Sequence, residues 1–372
     1  MIVETGVNIK KDQGCVIFAD VEQYEFVRIV EEQAYKSGAG WVMVNWSDQP
    51  STKLMYNHES VETLSTVEKW EEEKHKFYVD KLPAFIHILS DDPDGLKDVD
   101  IEKMQNANIA RSKVLKKYRD ARENLNQWTI VAIPSEKWAK KIFPDDDTQT
   151  AVDKLWKAIL NSVRISEENN PVEEWKKHNA VLDEKSRILN SHAFDYLHYQ
   201  SSNGTDFKCW LIPDSVWMGG GEPLKDGTYY NPNMPTEEVF TSPMKGKCEG
   251  VVVSTMPLSY QSNIIDNFSI EFKDGRAVSC KAEKGEALLK KMISMDNGAA
   301  MLGELALVPH DSPISNSGIL FYNTLFDENA SCHIALGRGF DNTIIGYENL
   351  SKDEIFAAGI NDSIIHVDFM IG

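Results

Sequence analysis

The chain ends in a short segment whose polar residues could bind a metal ion. In HVDFMIG (366–372), a β-strand would project His366 and Asp368 from the same face. Taken alone, such a pair is typical of a terminal strand whose polar side chains face water. A metal site would need further carboxylates and imidazoles from elsewhere in the chain.

Three upstream motifs supply such groups. Singly, each residue also has a structural explanation, as a capping glutamate, a strand-edge glutamate or a hydrogen-bonded histidine. Together they offer the mixture of oxygen and nitrogen donors that binds pairs of zinc, cobalt or manganese ions. The upstream candidates are Glu237 and Glu238 in NMPTEEVFTSP, Glu304 in GELALVP and His333 in DENASCH.

Other kinds of site find less support. GRGFDN (337–342) lacks the third glycine of a dinucleotide fingerprint, and WMGGGEP (217–223) lacks the Lys-Ser/Thr ending of a phosphate loop. No GxSxG nucleophile elbow is present, which weakens a serine hydrolase interpretation. The formal net charge of −19 makes nucleic acid an unlikely partner.

Cysteine usage and hydropathy favour the cytoplasm. The five cysteines are scattered and never spaced as CxxC, so reduced thiols are expected and a cysteine-based zinc site is not. No segment has the roughly 18–20 apolar residues of a spanning helix, and Met1 is not followed by a signal-peptide pattern. We therefore expect no membrane partner.

The elements that must position these residues fall into two domains. Four apolar runs separated by amphipathic segments predict βαβ units, a largely parallel sheet and helices on both of its faces. Residues 135–190 are helical in pattern and highly charged. We therefore predict an α/β N-terminal domain over 1–190. The predicted strands are CVIFAD (15–20), WVMVNW (41–46), AFIHIL (84–89) and WTIVAI (128–133).

The remainder, 191–372, predicts an α+β domain that carries a dinuclear metal site. IEFKDGRAVSCKAE (270–283) is a strong hairpin signal, because Asp274-Gly275 suits a tight turn with positive φ. GEALLKKMISMD (285–296) predicts one helix. Further strands are predicted at ELALVP, GILFYN and IIHVDFMI.

Longer phrases resemble the thermophilic metallo-aminopeptidase family that includes aminopeptidase T and aminopeptidase S. The similarity covers nearly the whole chain, and the run from Pro309 to Gly337 is long enough to be highly specific. The phrases are NMPTEEVFTSP, PLSYQSNIIDNFSIEFKDG, AEKGE, GELALVPHDSPISNSGILFYNTLFDENASCHIALG and HVDFMIG, with WAKKIFPD and NPVEEWKKHNAVLDEKSRILN in the first domain.

The resemblance implies a metal-dependent aminopeptidase that holds two divalent ions, zinc, cobalt or manganese, and releases N-terminal residues from peptides. Glu304 is the candidate proton carrier if it is not fully occupied as a ligand, and Glu237 is a candidate partner for the substrate amine. A homodimer is also implied. The metal ligands implied by the resemblance are Glu238, Glu304, His333, His366 and Asp368.

This chain departs from the family pattern at one site position and at both ends. Phe340 stands where the family has a tyrosine, and Tyr347 would need a rearranged loop to replace it. Family members also carry a helix before GVNIKKDQG and a segment after FMIG, so the chain is expected to be clipped. These departures leave open a noncatalytic metal-binding homologue as the alternative; a nucleotide-binding module is disfavoured by the missing glycine fingerprint.

Overall fold

The computed structural model describes residues 1–372 and contains seventeen strands and twelve α-helices. The strands are Gly14–Asp20 (β1), Trp41–Ser47 (β2), Ala84–Leu89 (β3), Trp128–Ala132 (β4), Tyr196–Gln200 (β5), Asp206–Leu211 (β6), Met218–Gly219 (β7), Glu222–Pro223 (β8), Tyr229–Tyr230 (β9), Val239–Thr241 (β10), Pro243–Val253 (β11), Leu258–Tyr260 (β12), Asn263–Lys273 (β13), Arg276–Lys284 (β14), Leu302–Leu307 (β15), His333–Gly337 (β16) and His366–Met370 (β17). The helices are Tyr24–Lys36 (α1), Gln49–His58 (α2), Val61–Ser65 (α3), Lys69–Lys81 (α4), Ile101–Arg122 (α5), Glu136–Ile142 (α6), Thr148–Ser162 (α7), Pro171–Asn190 (α8), Glu286–Ile293 (α9), Pro313–Ser317 (α10), Thr324–Asp327 (α11) and Lys352–Ala358 (α12).

The chain divides into two compact units. The first comprises Met1–Lys177 and Gly221–Pro235, and the second comprises His178–Gly220 and Thr236–Gly372. The segment Gly221–Pro235 is hydrogen-bonded to the rest of the first unit through its backbone. For example, Asn231 N–H donates to Gly6 O over 2.9 Å. The sequence-based domain limits, 1–190 and 191–372, remain a prediction.

The first unit contains the predicted parallel sheet, in the order β2-β1-β3-β4. The chain steps from β1 to β2 and then back past β1 to β3, so right-handed crossovers place helices on opposite faces. Val27 and Val30 of α1 pack with Ile17 on one face. Tyr78 of α4 packs with neighbouring aromatic and aliphatic side chains on the other. The four predicted strands and the two covered faces are confirmed.

The second unit is built mainly on two sheets of antiparallel strands. Five strands pair in the order β17-β16-β15-β10-β7, and six more form a sheet in which β14 pairs with β13. The predicted hairpin is confirmed, with φ of 50° at Asp274 and 75° at Gly275 in its turn. The Phe268 and Phe369 rings, one from each sheet, lie 5.4 Å apart.

One predicted strand of the second unit is wrong. GILFYN forms a loop before α11, in which Gly318 has φ of 62°. The Phe321 and Asn323 N–H groups donate to the Asp327 carboxylate instead of to a strand partner. The apolar residues of this segment pack in the core without forming a strand. Phe321, for example, is fully buried and stacks on Phe326 with ring centroids 4.6 Å apart.

None of the helices is long and apolar enough to cross a membrane.

Candidate metal centre

The candidate ligands of the strands lie on one face of the five-stranded sheet. The register places Ala335 of β16 opposite both Glu304 of β15 and Asp368 of β17. Residues opposite each other across a sheet project from the same face, so the two carboxylates flank the small Ala335 side chain. His366 extends the same face of β17, and it lies opposite Gly337.

Gly337 allows the strand ends to approach this closely. Its φ is 105°, and a Cβ atom there would lie 2.1 Å from the Ile365 carbonyl oxygen. Only glycine tolerates both conditions. Position 337, which lies opposite His366 on the neighbouring strand, is therefore restricted to glycine by the backbone around it.

Two groups of donors share one glutamate. Glu238, Glu304 and His333 each offer a ligand atom within 4.8 Å of the others, and Glu304, His366 and Asp368 do the same. The structure therefore brings together all five residues that the sequence pointed to as ligands. Glu304 occupies the position of a carboxylate that could contact two ions.

Short contacts connect the donors within each group. Glu238 Oε2 lies 2.8 Å from His333 Nε2, and Glu304 Oε2 lies 2.9 Å from His366 Nε2. His366 Nδ1 lies 2.7 Å from the Arg338 carbonyl oxygen, to which it can donate. A hydrogen bond of this kind fixes the ring and leaves Nε2 available as a donor to a metal.

The site is almost closed to solvent. Glu304, Glu238 and His333 are 4 %, 6 % and 1 % exposed, while the His366 side chain is 27 % exposed. Glu238 Oε2 and Asp368 Oδ1 are buried without a hydrogen-bond partner, so their close contacts to imidazole nitrogens are not aligned hydrogen bonds. Buried carboxylate oxygens without partners are costly unless a cation or a proton satisfies them.

The electrostatics of the group favour the binding of positive charge. Burial, together with Glu238 and Asp368, raises the pKa of Glu304 to about 7. Burial alone would lower the pKa of His333, but Glu238 and its neighbouring carboxylates raise it well above its ordinary value. Protons are therefore drawn to a site where divalent cations would neutralise the same negative charge. The donor set fits zinc, cobalt or manganese.

Sequence reasoning missed one carboxylate at this site. Glu328 lies in a single 3-10 turn after α11 and is 8 % exposed. Burial, and then the nearby Asp368 and Glu238, raise its pKa well above the usual range. The sequence feature that could have identified Glu328 is its place in DENASCH, five residues before His333.

Two other predicted site residues lie outside both donor groups. Glu237 is 3 % exposed, and its N–H donates to Asn329 Oδ1 over 2.7 Å. The Phe340 ring centroid lies 4.9 Å from that of His366, so a residue at this position does border the site. Tyr347 packs against a separate apolar cluster that includes Ile344 and Ile355. The roles proposed for Glu237 and for position 340 stay predictions.

Two histidines and four buried carboxylates lie together at this site, and such a donor set could bind divalent metal ions. Comparison with known proteins supports a metal-dependent enzyme. The chain belongs to the thermophilic metalloprotease family M29, whose family model matches residues 1–372. It is thus a metallopeptidase, and the resemblance drawn from the motifs is confirmed.

Relatives named as aminopeptidases match the full length of this chain. Aminopeptidase AmpS of Bacillus subtilis (strain 168) is 43 % identical over 373 residues, covering 100 % of this chain and 90 % of its own. Aminopeptidase T of Thermus aquaticus is 37 % identical with the same coverage. The solved structure of wild-type AmpT from Thermus thermophilus superposes with a TM-score of 0.88 at 35 % identity, covering 100 % of this chain and 90 % of that one.

Proposed function

We propose that this chain is an aminopeptidase that uses two divalent metal ions to release N-terminal residues from peptides. The observation that carries the proposal is the sharing of Glu304 between two groups of metal-binding donors. Relatives named as aminopeptidases support the exopeptidase activity. Against these observations, the noncatalytic alternative is not favoured.

The candidate ligands would be distributed between the two ions. Glu238 and His333 would hold one ion, His366 and Asp368 the other, and Glu304 would contact both. When bound, two such ions polarise a scissile carbonyl and lower the pKa of water. If metal binding leaves one Glu304 carboxylate oxygen free, that oxygen would accept the proton of the attacking water and deliver it to the nitrogen of the leaving amine.

Selectivity for the N-terminus requires recognition of a free α-amine. We propose Glu237 as the carboxylate that pairs with this amine, because it stands beside the candidate ligand Glu238 in the sequence. Zinc, cobalt or manganese as the metal, a homodimer and a cytoplasmic location complete the proposal. The metals and the homodimer follow from the family resemblance, and the cytoplasmic location follows from the absence of a recognisable export signal in the sequence.

The test compares a leucine-initiated peptide with its N-acetylated twin, using metal-loaded protein and a chelated sample. Cleavage of the free-amine peptide alone, abolished by chelation and restored by metal, is the expected result. Cleavage of both peptides at internal bonds would replace the exopeptidase with an endopeptidase. No cleavage by folded, metal-loaded protein would favour the noncatalytic alternative.

A further inference from the structure

Two cysteines face each other inside the six-stranded sheet of the second unit. Cys209 of β6 lies directly opposite Cys248 of β11, and the two residues are 1 % and 3 % exposed. Directly opposite residues of an antiparallel pair project from the same face. The two thiols therefore lie on the same, buried side of the sheet.

The backbone hydrogen bonds show which kind of pair this is. The Cys248 carbonyl accepts from Gly275 N–H over 2.9 Å, and Gly275 lies in the hairpin turn after β13, on the other side of β11 from β6. Because the N–H and C=O of a strand residue point to the same neighbour, Cys248 does not exchange hydrogen bonds with Cys209. Such non-hydrogen-bonded pairs have Cα atoms about 4.5 Å apart.

This separation suits a disulfide. Disulfide-linked cysteines have Cα atoms about 4.4–6.8 Å apart, so the strands would not have to move. No other cysteine is placed in this way: Cys280 lies opposite Ile270, Cys15 lies opposite Val42 and Ala84, and Cys332 is outside the strands. The Cys209–Cys248 pair is the one position where the sheet register supports a cross-link.

The pair also lies beside an interruption of the sheet. The pairing of β6 with β11 shifts register between Pro243 and Cys248, and Gly246 and Lys247 in that interval are exposed. Burial, and then Cys248, raise the pKa of the Cys209 thiol well above its ordinary value. The thiol is therefore protonated while the sheet is closed, and it becomes reactive when the sheet opens locally at the interruption.

We propose that Cys209 and Cys248 form a reversible disulfide site that peroxides close and thiol reductants reopen. In the open state one thiolate attacks an oxygen of hydrogen peroxide, which breaks the O–O bond and gives a sulfenic acid and hydroxide. The second sulfur then displaces the hydroxyl group, which leaves as water with the proton of the second thiol. The cysteines lose two electrons, and the peroxide is reduced to two molecules of water.

The test treats the reduced full-length protein with hydrogen peroxide at a temperature below unfolding. Free thiols are then alkylated in denaturant, and peptides are mapped by mass spectrometry without reduction. The expected result is a fall from five free thiols to three, with a peptide joining Cys209 to Cys248 that dithiothreitol separates. Retention of both thiols, or their conversion to sulfinic acid without a cross-link, would overturn the proposal.

Two single substitutions control the assignment. Cys280→Ser removes a partly exposed thiol that has no cysteine opposite it, and this variant should still form the cross-link. Cys248→Ser should form no intramolecular disulfide under the same treatment. Loss of two thiols from the Cys248→Ser variant would show that the oxidation occurs elsewhere. If this variant fails to fold, the peptide map of the unsubstituted protein still decides the matter.

Discussion

At the scale of single residues, Glu304 is the side chain whose loss should affect function most, because it belongs to both donor groups. Glu304→Gln keeps the shape but removes the charge and the proton-accepting oxygen. We expect kcat on the free-amine peptide to fall about 10²- to 10⁴-fold, the usual range for a lost general base. Bound metal, measured by elemental analysis after dialysis, should also decrease.

Glu249→Gln is the matched control, because Glu249 is an exposed glutamate on β11 of the same unit. Its kcat and metal content should match those of the unsubstituted protein. Full activity in the Glu304→Gln variant would remove this residue from the mechanism.

Position 340 calls for the opposite kind of substitution. Its phenyl ring lies beside the His366 ring but offers no hydroxyl group to an oxyanion at the metal site. Removing one oxyanion donor from an enzyme typically costs about 10²- to 10³-fold in kcat, so we expect Phe340→Tyr to raise kcat about tenfold or more. Metal content should not change, which separates a catalytic effect from a change in metal binding.

Tyr347→Phe is the control for Phe340→Tyr. Tyr347 packs against a separate apolar cluster, so the loss of its hydroxyl should leave kcat unchanged. A large fall in kcat for this control would show that Tyr347 supplies the missing hydroxyl. No gain in kcat from Phe340→Tyr would show that the family tyrosine is not needed in this chain.

The sequence predicted most of the candidate site at this scale, for reasons that differ between residues. Strand alternation alone paired His366 with Asp368, whereas their meeting with Glu238 depended on the family resemblance. Glu328 was missed because a residue in an isolated 3-10 turn has no periodicity that reveals which way it points. Its burial beside the other carboxylates follows from tertiary packing.

At the scale of elements, one ion pair joins α12 to the short helical turn that follows Phe340. Lys352 Nζ contacts Asp341, which is 2 % exposed, and the second carboxylate oxygen of Asp341 has no hydrogen-bond partner. Lys352→Met would leave a buried carboxylate unpaired. We expect the free energy of unfolding to fall by about 1–3 kcal/mol, measured by urea denaturation.

Lys290→Met gives the comparison for an exposed pair. Lys290 contacts Glu286 one turn away on α9, and both side chains are well exposed, at 59 % and 39 %. Loss of such an exposed pair should lower the free energy of unfolding less than the Lys352→Met substitution does. Equal effects from the two substitutions would mean that the burial of Asp341 does not set the cost.

His87 on β3 should make the first unit sensitive to acid. Burial, and then the Arg122 cation, lower the pKa of His87 to about 4. In the unfolded chain His87 binds a proton near pH 6.5, whereas in the folded chain it stays neutral until about pH 4. The free energy of unfolding therefore falls as the pH decreases from about 6.5 to about 4. The expected loss is about 2–3 kcal/mol.

His87→Phe should remove this pH dependence while keeping an aromatic ring stacked on Phe18, whose ring centroid lies 4.6 Å away. Unfolding can be followed by tryptophan fluorescence, since seven of the nine tryptophans lie in the first unit. The exposed His58, replaced by glutamine, serves as the control and should leave the slope unchanged. An unchanged slope in the His87→Phe variant would assign the acid sensitivity to another group.

Elements were predictable where local pattern and final packing agree. The strands around Ile17 and Ile86 are apolar because both faces of a parallel sheet are covered. The turn at Asp274-Gly275 is set by backbone conformation alone. GILFYN looked like a strand for the same apolar reason, but its N–H groups bind the Asp327 carboxylate, a contact that no local pattern encodes.

At the scale of the whole molecule, metal binding should stabilise one unit selectively, because all candidate ligands lie in the second unit. Free metal at 100 times its Kd would add about 2.7 kcal/mol to the stability of the state that binds it. Hydrogen exchange followed by mass spectrometry should show that chelation speeds exchange in β15, β16 and β17. Exchange in β1 and β3 should not change. Equal acceleration in both units would contradict this prediction.

The path of the chain between the units also bears on how the protein is made. Residues Gly221–Pro235 belong to the first unit but follow a segment of the second. Ile130 N–H donates to Pro232 O over 2.7 Å, and Met234, fully buried, packs in the core of the first unit. During synthesis, therefore, the first unit cannot complete its core when residue 177 leaves the ribosome. It must wait for 58 further residues, from His178 to Pro235, and a nascent chain stalled before that point would expose apolar surface to chaperones.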